Sequence, residues 1–134
     1  GLLVLALLCP ASAGYSAEQT PEGFVQEFYR WYLKVLDTDP RPERQDTILK
    51  YVDPQKVEWL RRYGNDGRDY FTQLGIDLAP DVRLNVRPGT AINEELYIVP
   101  VDFEAIKTYH IVVIVRKKSG ELSIVRTVDA YPHL

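Results

Sequence analysis

Helical spacing of apolar residues dominates the first half of the chain. Thr20, a capping residue, and Pro21, suited to the first helical position, predict a helix that runs to about Asp37. The following DTDPRPERQD stretch should end it, because proline cannot continue a helix. A short helix is expected over Thr47–Val52.

A further helix is expected to start with Asp53 as cap and Pro54 as first residue, and to end near Tyr63. Val57, Leu60 and Trp59 are the candidates for its inner side. Residues 65–67, Asn-Asp-Gly, predict a turn, and residues 69–74 a last short helix.

After Ala79 the period changes from helical to two. Val82, Leu84 and Val86 alternate with polar residues, as in a half-buried strand. Three more strands are predicted, over Leu96–Phe103, Thr108–Lys117 and Glu121–Val128. Pro100 indicates an edge position or a bulge in the second strand. Gly120 suits a tight hairpin between the last two.

The pairing of the last two strands decides which residues share a face. With Lys117 opposite Glu121, one face carries His110, Val112, Ile114, Arg116, Leu122, Ile124, Arg126 and Val128. Both faces are then apolar enough to need cover. Helices followed by a four-stranded antiparallel meander form an α+β layout, with the helices on one side of the sheet.

The first helix contains the aromatic stretch FVQEFYRWYL, Phe24 to Leu33. At about 100° per residue its apolar side chains cover an arc of about 200°, against roughly 100° for an ordinary surface helix. A strongly curved sheet could enclose so wide an arc, so these aromatics are interpreted as core. Tyr29 and Tyr32 carry hydroxyls that need partners when buried, which makes both candidates for lining a ligand pocket.

The long helix with an F-x-x-F-Y-x-x-Y-L pattern, the short helices and a last strand reading GELSIVRTVDA resemble a known architecture. It is the cystatin-like cone domain of the nuclear transport factor two superfamily, and in particular a family of small exported bacterial proteins of unknown function. The resemblance spans roughly residues 21–130. It implies a curved four-stranded sheet wrapped on the helices, but no specific reaction, because the superfamily includes both enzymes and binding modules.

The N-terminal segment GLLVLALLCPASAG is typical of the last part of a signal peptide, with cleavage expected between Ala13 and Gly14. Residues 1–13 are therefore predicted to be a signal peptide that is truncated at its start, and residues 14–134 a single domain in the periplasm or outside the cell. Contact with the membrane is expected only through this signal segment. A lipid anchor at Cys9 is the alternative, although Leu7 and Leu8 match that motif poorly.

Composition narrows the chemistry further. The chain has 16 basic and 19 acidic residues without long blocks of one sign, which argues against nucleic acid as a partner. Cys9 is the one cysteine, so the mature domain would have no thiolate. His110 and His133 are the only imidazoles, and no zinc, calcium or phosphate motif occurs, so no metal and no cofactor are expected.

Candidate catalytic residues are few. Asp102 and His110 lie on strands expected to be neighbours, and an Asp–His pair can perform acid–base catalysis. Tyr109 and Arg126 are further candidates for a ligand pocket. If the face of Arg126 is the concave one, its guanidinium would need a carboxylate from Asp102 or a ligand; if that face is convex, Arg126 is simply solvated, and the sequence leaves both alternatives open.

Three functional hypotheses follow, and a non-enzymatic function is favoured. The first is an exported module that binds a small apolar molecule or a partner protein, with a homodimer through a sheet face as one form of it. The second is a cofactorless enzyme that uses Asp102, His110 and Tyr32 or Tyr109. The third is an envelope inhibitor or immunity protein that neutralises a toxin.

Overall fold

Two α-helices pack on a curved antiparallel sheet, which confirms the predicted α+β fold. The structure is a computed structural model that describes residues 19–64, 69–73 and 81–130. Its elements are α1 (Pro21–Leu36), two 3₁₀ segments (Pro42–Arg44 and Asp46–Lys50), α2 (Pro54–Tyr63), β1 (Arg83–Val86), β2 (Thr90–Ala91), β3 (Leu96–Glu104), β4 (Thr108–Lys118) and β5 (Glu121–Asp129). The predicted signal peptide and the predicted turn at residues 65–67 lie outside the described residues.

Helix α1 begins where the sequence predicts. The Thr20 hydroxyl accepts a hydrogen bond from the Gly23 N–H at 3.0 Å, and Pro21 occupies the first turn. At the other end, the amides of Thr38 and Asp39 both donate to the Val35 carbonyl. The helix buries Phe24, Val25, Phe28, Tyr29 and Tyr32, with Trp31, Leu33 and Leu36 partly buried against the same core.

Helix α2 departs from the sequence analysis on one side chain. The Asp53 carboxylate caps it by accepting from the Lys56 N–H at 3.4 Å, and Val57 and Leu60 are buried. Trp59, a candidate for the inner side, is 47% exposed. Val57 and Leu60 are three residues apart and define the buried side, whereas Trp59 is rotated about 100° from Leu60. The short helix predicted before α2 is the second 3₁₀ segment.

The sheet has the order β1-β3-β4-β5, with β2 added beside β3. Because successive side chains of a strand point to opposite sides, the sheet has one face that is covered by the helices and one outer face. The helix-covered face carries Val99, Val101, Phe103, Ile111, Val113, Val115 and Ile124, all of them buried. The outer face carries Ile98, Pro100, Asp102, His110, Val112, Ile114 and Arg116. Within the described residues, no helix is long and apolar enough to cross a membrane.

Pro100 lies in β3, which has neighbouring strands on both sides, so the prediction of an edge strand is wrong. At Pro100 itself, however, the ladder of main-chain hydrogen bonds on one side of β3 is interrupted, because β1 ends at Val86 and β2 begins at Thr90. The Pro100 carbonyl accepts from the Arg87 N–H at 2.9 Å. The missing N–H of proline therefore falls beside the gap between the two short strands, where no ladder partner is needed.

The β4–β5 hairpin differs from the predicted register by one residue. Lys118, not Lys117, pairs with Glu121, and the two-residue loop Ser119-Gly120 has positive φ angles of 52° and 79°, as a primed turn requires. Val125 is an extra residue in a bulge between the pairs Val115–Ile124 and Ile114–Arg126.

The shift and the bulge change the predicted faces. Leu122 and Ile124 share the helix-covered face with Val115, while Arg126 and Val128 lie on the outer face together with His110, the residue whose face they were predicted to share. The expectation that all four share one face is therefore wrong, because a bulge reverses which side alternate residues occupy.

Gly89 lies in the segment between β1 and β2, where the main chain closely approaches β3. Its N–H donates to Glu22 Oε2 at 2.8 Å, and a Cβ there would lie 2.8 Å from the Ile98 carbonyl oxygen. We expect Gly89→Ala to lower the free energy of unfolding by about 1–3 kcal/mol, because backbone must move to relieve the overlap. Urea denaturation measures this change. Thr90→Ala, at an exposed neighbour, is the control, and equal stability of the two variants would contradict the prediction.

Candidate functional site

Asp102 and His110 face each other across β3 and β4, as their register requires. His110 Nδ1 lies 2.5 Å from Asp102 Oδ1. Asp102 Oδ2 lies 3.2 Å from Arg87 Nε and accepts from Asn85 Nδ2 at 3.3 Å. Asp102 is only 6% exposed, and these groups compensate for the burial of its carboxylate. The sequence does not identify Arg87 and Asn85 as site residues. It shows that both lie on the same face of the predicted first strand, but it does not show how that strand is aligned with the strand that carries Asp102.

The tyrosines proposed to work with this pair lie elsewhere. Tyr109 is next to His110 in β4 and therefore points to the other face, where it is 37% exposed opposite Phe103. Tyr32 is in the core beneath the sheet. The structure thus brings Asp102 and His110 together without the hydroxyl group that the acid–base hypothesis added to them.

Arg126 does not supply the partner for Asp102 either. It is exposed on the outer face opposite Ile114, which is four residues and therefore about 13 Å along β4 from His110. Arg87 occupies the place beside Asp102 instead. An exposed guanidinium remains solvated and needs no buried carboxylate, so the reason for placing Arg126 in a pocket does not apply.

Tyr29 and Tyr32 are anchors of a neighbouring segment. The Tyr29 hydroxyl donates to the Phe71 carbonyl at 2.6 Å, and the Tyr32 hydroxyl donates to Asp69 Oδ1. The other oxygen of Asp69 accepts from the Thr72 N–H at 2.9 Å. Both tyrosine side chains are fully buried. Their hydroxyls therefore tie residues 69–73 to α1 and are not presented to a ligand.

Burial dominates the acid–base behaviour of this network. It raises the pKa values of Tyr29 and Tyr32 well above the ordinary tyrosine value, and the negative charge of Asp69 raises them further. Burial also raises the pKa of Asp69, although the hydrogen bonds from Tyr32 and Thr72 oppose that shift. Both tyrosines consequently stay neutral donors, and burial favours the protonated form of Asp69 relative to an exposed carboxyl group.

We expect Tyr32→Phe to lower the free energy of unfolding by about 1–3 kcal/mol, because it removes the buried hydrogen bond from the Tyr32 hydroxyl to Asp69. Thermal or urea unfolding measures the loss. Tyr63→Phe is the matched control, since Tyr63 is 62% exposed and should lose almost nothing. If the two variants are equally stable, the hydroxyl of Tyr32 is not an anchor.

Asp69 should also make stability depend on pH. Because its pKa is higher in the folded than in the unfolded chain, the folded state binds the proton more tightly. Lowering the pH through the folded pKa should therefore stabilise the wild type relative to Asp69→Asn. Unfolding free energies of the two proteins, measured from pH 7 down to about pH 4, give this difference. A difference that does not change, or that moves in the opposite sense, would contradict the assignment.

A groove lies at the end of the β4–β5 hairpin, and we call it the hairpin groove. It has a volume of about 710 Å³. Three parts of the chain line it. They are the N-terminal end of α1 (Gln19 and Phe24), the end of the second 3₁₀ segment with the start of α2 (residues 49–54), and the hairpin (residues 116–123). The volume falls within the range of about 300–1,000 Å³ that is common for ligand sites.

An ion pair forms one wall of the hairpin groove. Arg116 lies opposite Ser123, whose side chain is short, and it donates across the strand edge to Asp53 Oδ1 at 3.0 Å. Asp53 also caps α2, so this contact fixes the helix start against the hairpin.

A second surface feature is an aromatic patch formed by Lys56, Trp59, Tyr63 and Tyr70. The Lys56 ammonium lies 5.2 Å from the Trp59 ring centre and 5.1 Å from that of Tyr70. Trp59 and Tyr63 pack with their ring centres 5.6 Å apart, although both are exposed. Exposed aromatic residues of this kind are frequent at protein interfaces.

Binding of a metal ion depends on the arrangement of the side chains that can act as its ligands. In the part of the chain that the structure describes, no group of three or more His, Cys, Asp or Glu side chains is arranged to hold a metal ion. Among the residues that the structure describes, the main candidate features for function are the Asp102–His110 pair, the hairpin groove and the aromatic patch.

Comparison with known proteins gives structural matches only. No protein-family model matches the chain, and no curated protein matches it. Its fold is similar to that of a chain in the crystal structure of the type VI native effector-immunity complex Tae3-Tai3 from Ralstonia pickettii. The TM-score is 0.76 at 23% identity, covering 87% of this chain and 99% of that one. The selenomethionine form of the same complex gives a TM-score of 0.73 at 23% identity, covering 86% and 100%.

At this level of identity the similarity establishes a shared α+β fold across nearly the whole of the matched chain. The matches are to a small bacterial protein with an α+β fold and do not identify its superfamily, so the cystatin-like cone remains a prediction.

Proposed function

We propose that this protein is an envelope inhibitor of the immunity type, which binds a toxic effector protein and neutralises it. The observation that carries the proposal is the fold shared with a chain of an effector-immunity complex, with almost no part of that chain left unmatched. This hypothesis takes precedence over the binding of a small apolar molecule, which no comparison supports.

The site geometry favours binding over catalysis. The Asp102 carboxylate is shared by His110, Arg87 and Asn85, and the proposed tyrosine partners lie on other sides of the structure. An inhibitor needs only a complementary surface, and both the hairpin groove and the aromatic patch offer one. A signal peptide at residues 1–13 would bring such an inhibitor into the envelope, and the periplasm is the location we propose.

The proposal is tested by neutralisation. The candidate effectors are the products of genes adjacent to the one that encodes this protein, exported singly to the periplasm of a bacterial host. We expect co-export of the full chain, supplied with a complete signal peptide, to restore growth with one of them, and the two purified proteins to co-elute in size-exclusion chromatography. A version without any signal peptide should fail to protect, because it stays in the cytoplasm. Unchanged killing by every candidate, with no co-elution, would contradict the proposal.

A variant separates inhibition from acid–base chemistry. His110→Gln removes the titratable ring of the Asp102–His110 pair, so an inhibitor that works by binding should protect as well as the wild type. Lys107→Gln, at an exposed position in the β3–β4 turn, is the control for surface substitution. Loss of protection by His110→Gln alone, with normal folding by circular dichroism, would favour the enzymatic hypothesis.

A further inference from the structure

We infer that the hairpin groove is the docking site for the partner, and that it receives an extended segment carrying carboxylates and one apolar side chain. The inference rests on the proposed function, since it names the surface and the kind of segment through which the effector would be held. Three properties of the hairpin groove lead to it: charge, exposed apolar surface and an open strand edge.

The charge of the hairpin groove is opposite to that of the protein. The chain has a net charge of −3, yet the groove is lined by four basic residues and two acidic ones. The basic residues are Lys50, Arg116, Lys117 and Lys118, and the acidic ones are Asp53 and Glu121. Arg116 and Asp53 pair with each other, so the other charged residues of the lining are three lysines and Glu121. A partner segment rich in carboxylates therefore meets a complementary field here, which speeds its association.

Apolar surface is exposed at the same place. Leu49 is 45% exposed, whereas its neighbour Ile48 is completely buried. Leu122 is partly buried beside it in the lining of the hairpin groove, and the ring of Phe24 also reaches the lining. An apolar side chain of a partner can cover Leu49 without any rearrangement of the core, and burial of that surface would add affinity.

The edge of β5 supplies hydrogen-bonding groups. The Ile124 N–H donates to the Tyr51 carbonyl at 2.7 Å, and the Ile124 carbonyl accepts from the Asp53 N–H at 2.9 Å. These bonds accompany a parallel bridge between Val52 and Ile124. In an antiparallel strand, main-chain groups face the same edge at every second residue. The N–H and C=O of Leu122 therefore face the hairpin groove at the next position.

An extended partner segment can continue the sheet at that position, as peptides do when they add to an exposed strand edge. The Asp102–His110 pair offers less, because its polar groups are bonded to one another. In the aromatic patch, Lys56 already lies between two rings. The hairpin groove thus combines the features that specify an acidic, extended occupant.

The test uses the effector that co-elutes with the full chain. Its affinity is measured by isothermal titration calorimetry for the double variant Lys50→Glu/Lys118→Glu and for Leu49→Ser. Matched controls lie at the opposite end of the sheet: Lys107→Glu for the charge change and Ile106→Ser, at a 98% exposed residue, for the apolar change. All are surface substitutions, and equal thermal unfolding midpoints would establish that each variant folds.

We expect the double variant to bind about tenfold more weakly or worse in low-salt buffer, with a smaller deficit at high salt, since salt screens exposed charges. Leu49→Ser should also weaken binding, and both controls should bind like the wild type. Hydrogen exchange should detect new protection of the Leu122 amide in the complex, because that N–H gains a partner.

Other results would overturn the inference in distinguishable ways. If the wild type and the groove variants bind the effector equally, the hairpin groove is not the docking site, while the proposed function stands. If groove variants convert a wild-type dimer into monomers and leave effector binding unchanged, the occupant is a second copy of this chain. If the wild type binds no candidate effector, the proposed function fails, and the assigned partner fails with it.

Discussion

Packing around Phe28 is the constraint on which the rest of the structure depends. Rings from three parts of the chain surround this side chain: Tyr29, Trp31 and Tyr32 from α1 itself, Tyr51 after the second 3₁₀ segment, and Phe71. Aromatic pairs in tilted and edge-on arrangements add stability beyond the area they bury. Segments without regular structure are thus held against the helix, and Tyr51 in turn brings the neighbouring residues 52–53 to the edge of β5.

The sequence predicts α1, α2 and the main strands because each depends on local rules. Thr20-Pro21 and Asp53-Pro54 are recognisable helix starts, and strand alternation is visible without knowledge of the partner. The Asp102–His110 pairing also follows from two neighbouring strands. The face of the sheet on which Ile124 lies cannot be predicted in this way, because the bulge at Val125 leaves no local signal in the sequence. The roles of Tyr32 and Arg87 depend on residues far away in the chain, Asp69 and Asp102, so no periodicity could reveal them.

A protein that acts by binding another protein leaves little trace in its motifs. Catalysis needs particular residues at fixed spacing, whereas complementarity needs only a surface of the right shape and charge. The hairpin groove illustrates the difference: its basic residues come from two separate parts of the chain, and neither stretch is distinctive when read alone. The fold and the register of the β4–β5 hairpin bring these basic residues together, and no local motif encodes that arrangement.

The short parallel bridge between Val52 and Ile124 has a consequence for solubility. An exposed strand edge is a template on which further copies can add until the protein aggregates. By occupying that edge at Ile124, the segment before α2 separates the exposed position at Leu122 from the remainder of β5. An interrupted edge is a poor template for the addition of a further strand. The same contact would thus limit edge-to-edge association of this chain along β5.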